Sequence, residues 1–183
     1  ESWPSENASA WDPDDPNSAA QVIRYREPPF DRYDNIPGVV QAARVFDNDD
    51  VQAFTERGEG GRVRLLGIST EEFGLVARFP NGLMPHHLFD YLNLIALDPH
   101  AVLVSSSFAK AYDVKPGDRL RIAAGPLGTM EVSVYATIDY FPSYNPNPTS
   151  TTTRGQVIIT EPHLIVGHLK TMQNELSLVP YDI

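Results

Sequence analysis

The sequence predicts an α+β fold, or a mixed sheet with crossovers, formed by short helices against a sheet that contains a long hairpin. Three observations predict it. Thr129 to Asp139 alternates strictly, with Met130, Val132, Val134, Ala136 and Ile138 on one side and Glu131, Ser133, Tyr135, Thr137 and Asp139 on the other. Arg119 to Ala123 precedes it, with Leu120 and Ile122 inward, and Gly125-Pro126-Leu127-Gly128 supplies the turn between. Short helical patterns with their own capping residues lie between the apolar strand-like runs.

Size and composition permit such a fold. The chain has 183 residues, 42% of them hydrophobic and 21% charged, which suits one domain or two small lobes sharing a core. A chain this long buries roughly 70% of its unfolded surface, so it needs no disulfide or metal to fold. With no cysteine, disulfide frameworks, zinc ribbons, thiol nucleophiles and cluster ligation are excluded.

Residues 1–37 hold Pro4, Pro13, Pro16, Pro28, Pro29 and Pro37 and read as an extended acidic arm. Its later half, with Phe30 and Tyr33, is expected to lie against the body and its first 18 residues to be loosely held. Val39 to Val45 reads as a strand broken by Asn48-Asp49-Asp50. Val51 to Thr55 is a second short strand or one helical turn, and Gly58-Glu59-Gly60-Gly61 a turn. Arg62 to Ile68 alternates as a strand, with Val63 and Leu65 opposite Arg62, Arg64 and Leu66. Ser69 and Glu72 fit a capping box for a helix to about Val76. Pro85 to Leu97 sets Leu88, Leu92 and Ile95 on one helical face, with Tyr91 adjoining.

Ala101 to Val104 is a buried strand, and Ser105 or Ser106 caps a helix running through Phe108 to about Tyr112. Pro116-Gly117 suits a type II turn. Residues 142–155 read as a polar exposed loop, Gln156 to Thr160 as a strand, and Pro162 as the start of a helix through His168 to about Gln173.

No catalytic constellation is legible. His86 and His87 are adjacent, and His163 and His168 are five apart, so neither pair has helical metal-ligand spacing. Ser105-Ser106-Ser107 lacks the GxSxG elbow and a recognisable base, and is explained by capping. Gly125 to Gly128 is not a phosphate loop. Asp12-Pro13-Asp14-Asp15-Pro16-Asn17 lacks the glycine and glutamate of a calcium loop, and Asn7-Ala8-Ser9 is a glycosylation sequon. The expectation is a chain without enzymatic turnover, bound metal or cofactor. The formal charge is −10. Residues 1–50 hold 11 acids and four bases, a net of −7, which leaves −3 on the rest. A wide phosphate-neutralising surface, and with it general nucleic-acid binding, is therefore excluded. No apolar run approaches the ~20 residues of a membrane-spanning helix. No signal peptide is visible, since Glu1 opens a polar stretch; the chain is either cytosolic or an excised piece.

One segment invites a contact role: Asp139-Tyr140-Phe141-Pro142-Ser143-Tyr144-Asn145-Pro146 sets three aromatics and two prolines at a strand exit. In one reading Phe141 simply tucks into the core. In the other, an aromatic corner fixes a loop that contacts another protein, with Tyr140, Phe141, Tyr144, Asn145 and Arg154 as contact residues.

Several motifs occur in a telling order. Ile36-Pro37-Gly38-Val39 leads into Ala42-Ala43-Arg44-Val45, and Leu66-Gly67-Ile68 precedes Phe73. Ala101-Val102-Leu103-Val104-Ser105 leads through Phe108-Ala109 to Val114-Lys115-Pro116-Gly117-Asp118, and Ile138-Asp139-Tyr140-Phe141-Pro142 follows. Over residues 36 to 165 this resembles the extracytoplasmic domain of FtsX/MacB-like ABC transporter permeases. The resemblance implies a domain held outside the cell membrane between two transmembrane helices, with a mixed α/β lobe and a β-rich lobe over residues 38–183, and excision would account for the missing spans. It implies ATP hydrolysis on a separate cytoplasmic subunit. The partners it implies are the rest of the permease, that ATPase subunit, a second permease copy, and an external substrate or protein. A rival likeness, of Ser105 through Asp118 to Ile122, is to the double-psi barrel of molybdopterin-dinucleotide-binding domains, a cofactor module; a cysteine, a second full copy of the motif and the large catalytic portion are missing.

Overall fold

The computed structural model describes residues 25–26, 30, 33, 35–80, 82–146, 149–151, 157–159, 163–176 and 178–179. Strands β2 (Val45–Thr55), β3 (Gly60–Ile68), β4 (Ala101–Ser105), β5 (Arg119–Ala123), β6 (Thr129–Ile138) and β9 (Leu164–His168) close a barrel in the order β2-β3-β9-β4-β6-β5. The barrel is mixed: β3–β9 and β4–β6 are parallel, and the other neighbours antiparallel. Among the described residues four short helices accompany it: α1 (Thr70–Val76), α2 (Leu88–Leu97), α3 (Ser106–Tyr112) and α4 (Leu169–Glu175). Outside the barrel, β1 (Tyr25–Arg26) pairs in parallel with β10 (Leu178–Val179), and β7 (Thr149–Thr151) forms a hairpin with β8 (Val157–Ile159). The fold is α+β, as the sequence predicts.

Alternation divides the apolar residues between two cores. Val51, Ala53, Val63, Leu65, Val102, Val104, Leu120, Ile122, Met130, Val132 and Val134 belong to one cluster with Phe108 and Met172. Leu66, Ile68, Leu103, Leu164 and Val166, neighbours of those residues with opposite parity, belong to a second with Leu88, Tyr91, Leu92 and Ile95 of α2. The β5–β6 hairpin forms as expected and turns at Gly125–Leu127; its register runs from Arg119 opposite Ser133 to Ala123 opposite Thr129. Its inward face is not continuous, however. The β4–β6 register shifts between Val102 opposite Val134 and Leu103 opposite Ala136. Tyr135 is the extra residue, exposed as its place in the alternation predicts, and beyond it Ala136 and Ile138 join the second core.

Other expectations change in detail. Only Val45 of the run from Val39 is in a strand, and Val40 is exposed. Asn48-Asp49-Asp50 does not end β2, because a register shift between Asn48 and Val51 takes up the polar triplet as an irregularity within one 11-residue strand. Ser69 precedes α1 but makes no side-chain cap, and no capping box forms with Glu72. That carboxylate instead accepts from the Arg44 backbone N–H at 2.9 Å and from its guanidinium, a charged donor displacing a neutral one. Burial opposes ionisation of Glu72, but the Arg44 hydrogen bonds outweigh it and lower its pKa. Helix α2 starts at Leu88, not Pro85. His87 caps it, its Nδ1 accepting from Phe89 N–H while Asp90 accepts from His87 N–H. Leu88, Tyr91, Leu92 and Ile95 are buried as predicted.

The largest correction concerns the helix expected after Pro162. Leu164–His168 is a barrel strand, seated between β3 and β4 with Leu164 to Gly167 buried, and the helix begins only at Leu169. A segment buried on both faces favours the β-branched Ile165 and Val166 in a strand. The polar loop at 142–155 includes β7 of the outer hairpin, and its first turn is partly buried. Of the arm, residues 1–24 lie outside the described residues; Phe30 lies beneath the Arg44 guanidinium.

Candidate contact site at the aromatic corner

The corner begins where β6 leaves the barrel. Phe141 and Tyr144 form a β-bridge, and the Tyr144 N–H donates to the Phe141 carbonyl at 2.9 Å. Pro142 and Ser143 are the central residues of this turn. Ser143 sits at φ 68°, a left-handed conformation that a non-glycine residue adopts only under constraint. Arg64 of β3 supplies part of it: Nη1 donates to the Ser143 carbonyl at 2.7 Å and Nη2 reaches Ser143 Oγ at 3.4 Å. The same guanidinium forks onto Asp47 of β2 at 2.8 and 2.6 Å. The hydrogen bond from Arg64 holds the Asp47 carboxyl below its ordinary pKa.

Phe141 is 2% exposed and stacks on Phe73 of α1, with ring centres 5.5 Å apart and planes within 9°. Tyr144 is 9% exposed. Both therefore brace the corner from within the second core. Tyr140, at 36%, and Asn145 face outward. Arg154 lies outside the described residues.

Beneath Tyr144 the serine run forms a directed array. The buried Ser105 Oγ accepts from Phe108 N–H, capping α3, and from Leu164 N–H at 3.0 Å. With both donors pointing at it, its own proton is directed to Ser107 Oγ, 3.0 Å away. The Ser107 proton is then available to His163 Nδ1, also at 3.0 Å, while Tyr144 Oη stands 3.5 Å off. The His163 ring is edged by Phe108 and Tyr112, with centroids at 5.6 and 5.8 Å. The expectation that no base accompanies the serines is thus corrected: a histidine 56 residues on stands beside Ser107. Spacing within the sequence could not reveal it, because β9 brings it there. The array links the end of β4, the start of α3, the start of β9 and the corner.

The serine run and the aromatic corner, separate in the sequence, share one cleft of about 290 Å³ lined by Ser106, Ser107, Lys110, Asp139, Tyr140, Tyr144 and Pro146. It offers hydroxyls, one ammonium, one carboxylate and ring faces, a mixture suited to polar contact with a peptide or protein. Among the described residues no three His, Asp or Glu side chains converge as metal ligands. The barrel does not favour the cofactor-module reading. Its interior is filled by aliphatic side chains, and the described residues hold one strand–helix–Gly-Asp turn–strand unit, β4–α3–Gly117-Asp118–β5.

No protein-family model and no curated protein matches the chain. Several solved structures are similar to it, two of them as follows. One is a domain of a protein named as a candidate permease from Porphyromonas gingivalis, with 16% identity, a TM-score of 0.42, and coverage of 74% of this chain and 48% of that one. The other is the extracellular domain of the noncanonic ABC-type transporter YknZ from Gram-positive bacteria, with 15% identity, a TM-score of 0.39, and coverage of 79% and 62%. This chain thus spans about half to three fifths of their length. Among the described residues no helix is long and apolar enough to cross a membrane.

Proposed function

We propose that this chain is the extracytoplasmic domain of an ABC transporter permease, which couples movement of its flanking membrane helices to an external substrate or partner. ATP hydrolysis belongs to a separate cytoplasmic subunit in this reading, and the chain divides into an acidic arm over 1–37 and the domain proper over 38–183. The observation that carries the reading is the order of the sequence motifs, which fall on consecutive elements: β4, α3, the Pro116-Gly117 turn, the β5–β6 hairpin and the corner at Phe141-Pro142. The outward residues Tyr140 and Asn145, with Arg154, make the external contact, and Phe141 and Tyr144 hold Tyr140 and Asn145 in place.

The absence of cysteine allows a direct topological test. Arg57→Cys, in the exposed turn between β2 and β3, is introduced into the intact parent protein in its membrane. A membrane-impermeant maleimide is expected to label it in unbroken cells above the background of the unsubstituted protein. Labelling only after lysis would overturn the reading.

A further inference from the structure

Ser107 stands between an open cleft and a histidine. Its side chain lines the cleft of about 290 Å³ beside the aromatic corner, while His163 lies off that lining, with Nδ1 3.0 Å from Ser107 Oγ. A serine nucleophile and its base need this order, with the hydroxyl toward the ligand and the imidazole behind it. Ser105 sets the direction of the proton. Both lone pairs of its buried Oγ are taken, by the N–H groups of Phe108 and Leu164, so across the 3.0 Å to Ser107 it can only donate. The Ser107 proton is thereby turned toward the imidazole.

The base is held in place before any ligand arrives. The Arg64 N–H donates to the His163 carbonyl at 2.9 Å, and the N–H of the next residue, Leu164, is the one bound by Ser105. Phe108 and Tyr112 enclose the ring, with interplanar angles of 80° and 66°. Rigid support of this kind is what keeps a reacting pair in register. Two donors line the cleft where charge would develop: Tyr144 Oη, 3.5 Å from Ser107 Oγ, and Lys110, one turn on from Ser107 along α3. Lys110 and Asp139 are the charged groups of the lining and cancel, so the cleft suits a neutral ligand. Its volume stands at the lower end for small-molecule sites, with room for a short acyl group and not for a long lipid chain.

We infer that Ser107 and His163 form a nucleophile–base pair that hydrolyses short, neutral carboxylic esters. The inference stands apart from the transporter reading. Ser107 Oγ bonds to the ester carbonyl carbon as its proton passes to His163 Nδ1, and the carbonyl electron pair moves onto the oxygen that Tyr144 and Lys110 face. Collapse breaks the bond to the alkoxy oxygen, which leaves as the alcohol with the proton from His163. Water then adds to the acyl carbon and gives a proton to His163; the acid departs as Ser107 Oγ takes that proton back.

The full 183-residue chain is treated with an alkyl fluorophosphonate and mapped by peptide mass spectrometry, and its hydrolysis of p-nitrophenyl acetate is followed. A single adduct, on Ser107, is expected. Ser107→Ala should abolish the adduct and the catalysed hydrolysis, and His163→Gln should slow both by roughly 100-fold or more. His100→Gln, at an exposed histidine outside the cleft, should slow neither. Melting temperatures identify any variant whose fold has changed. Ser107→Cys gives a second reading, because the chain has no other thiol: iodoacetamide should alkylate it roughly tenfold or more faster than it alkylates the double variant with His163→Gln. No phosphonate on Ser107, ester hydrolysis unaltered in Ser107→Ala, or labelling and alkylation unaltered by His163→Gln would each overturn the inference.

Discussion

The guanidinium of Arg64 reaches two segments that are distant in sequence, Asp47 on β2 and the turn at Pro142-Ser143. Its two ends differ in consequence. The pair with Asp47 is partly solvated and contributes modestly, while the bond to the Ser143 carbonyl holds a residue in left-handed backbone. Arg64→Ala is expected to lower stability by about 1–2 kcal/mol in urea unfolding. Lysine should recover little, since one ammonium cannot serve the carboxylate fork and the carbonyl together. The sign of the pH dependence follows from Asp47, whose pKa is lowered in the folded protein from 3.8. Its contribution is fully present above the unfolded pKa and is lost as pH falls through the folded one. The difference between wild type and Arg64→Ala should therefore be constant near neutrality and narrow only below pH 3.8. A difference that instead narrows on the alkaline side would show that Asp47 is not the coupled group.

Between residue and fold, β3 and β9 meet at a pair of glycines. Gly67 and Gly167 are partners in the parallel register, and both face Met172 of α4. A Cβ at Gly67 would meet Met172 Sδ at 2.6 Å and the Leu169 backbone at 3.4 Å, so the notch seats the helix on the strands. Gly67→Ala is expected to cost about 1–3 kcal/mol by overpacking and Met172→Ala about 2–5 kcal/mol by leaving a cavity. Because each relieves part of the other's fault, the double variant should lose clearly less than the sum of the single losses. Strict additivity in chemical denaturation would refute the notch. The sequence does not announce this element, and the reason is general to the chain. The β5–β6 hairpin, the Ser105 cap and the Gly117 turn depend on neighbours a few residues away, and all are legible. Strand β9 depends on a seat between β3 and β4, so Leu164-Ile165-Val166 behind a proline reads equally as the start of a helix. The bulge that splits the inner face of β6 is set by β4, not by the alternation of β6 itself. At the site, the aromatic corner is visible as a strand exit crowded with rings. Its supports are not, because Arg64 and Ser107 reach it from 79 and 37 residues away.

At the scale of the molecule, the corner is fixed to the barrel from several directions: by Arg64 at Ser143, by Phe73 at Phe141, and by the serine array beneath Tyr144. Packed elements tied in this way move as whole bodies and do not deform smoothly, so a force applied at Tyr140 or Asn145 would reach β3, β4 and α1 together. The proposed coupling role requires that contact and support be separable. Phe141→Ala should destabilise the isolated domain by about 3–5 kcal/mol, because the ring is buried against Phe73. Tyr140→Ala, at an outward position, should change stability by less than about 0.5 kcal/mol, and Asn145→Ala by less than Phe141→Ala does. In the permease–ATPase assembly that the proposal implies, in membranes from cells that supply the proposed partner, the same two substitutions should lower partner-dependent ATP turnover about fivefold if either residue is a contact hot spot. Unchanged turnover in both, at normal protein level and unchanged melting temperature, would remove the corner from the contact surface and leave it a structural brace. Lost turnover accompanied by a lowered melting temperature would count against the contact as well, since support would then account for the defect.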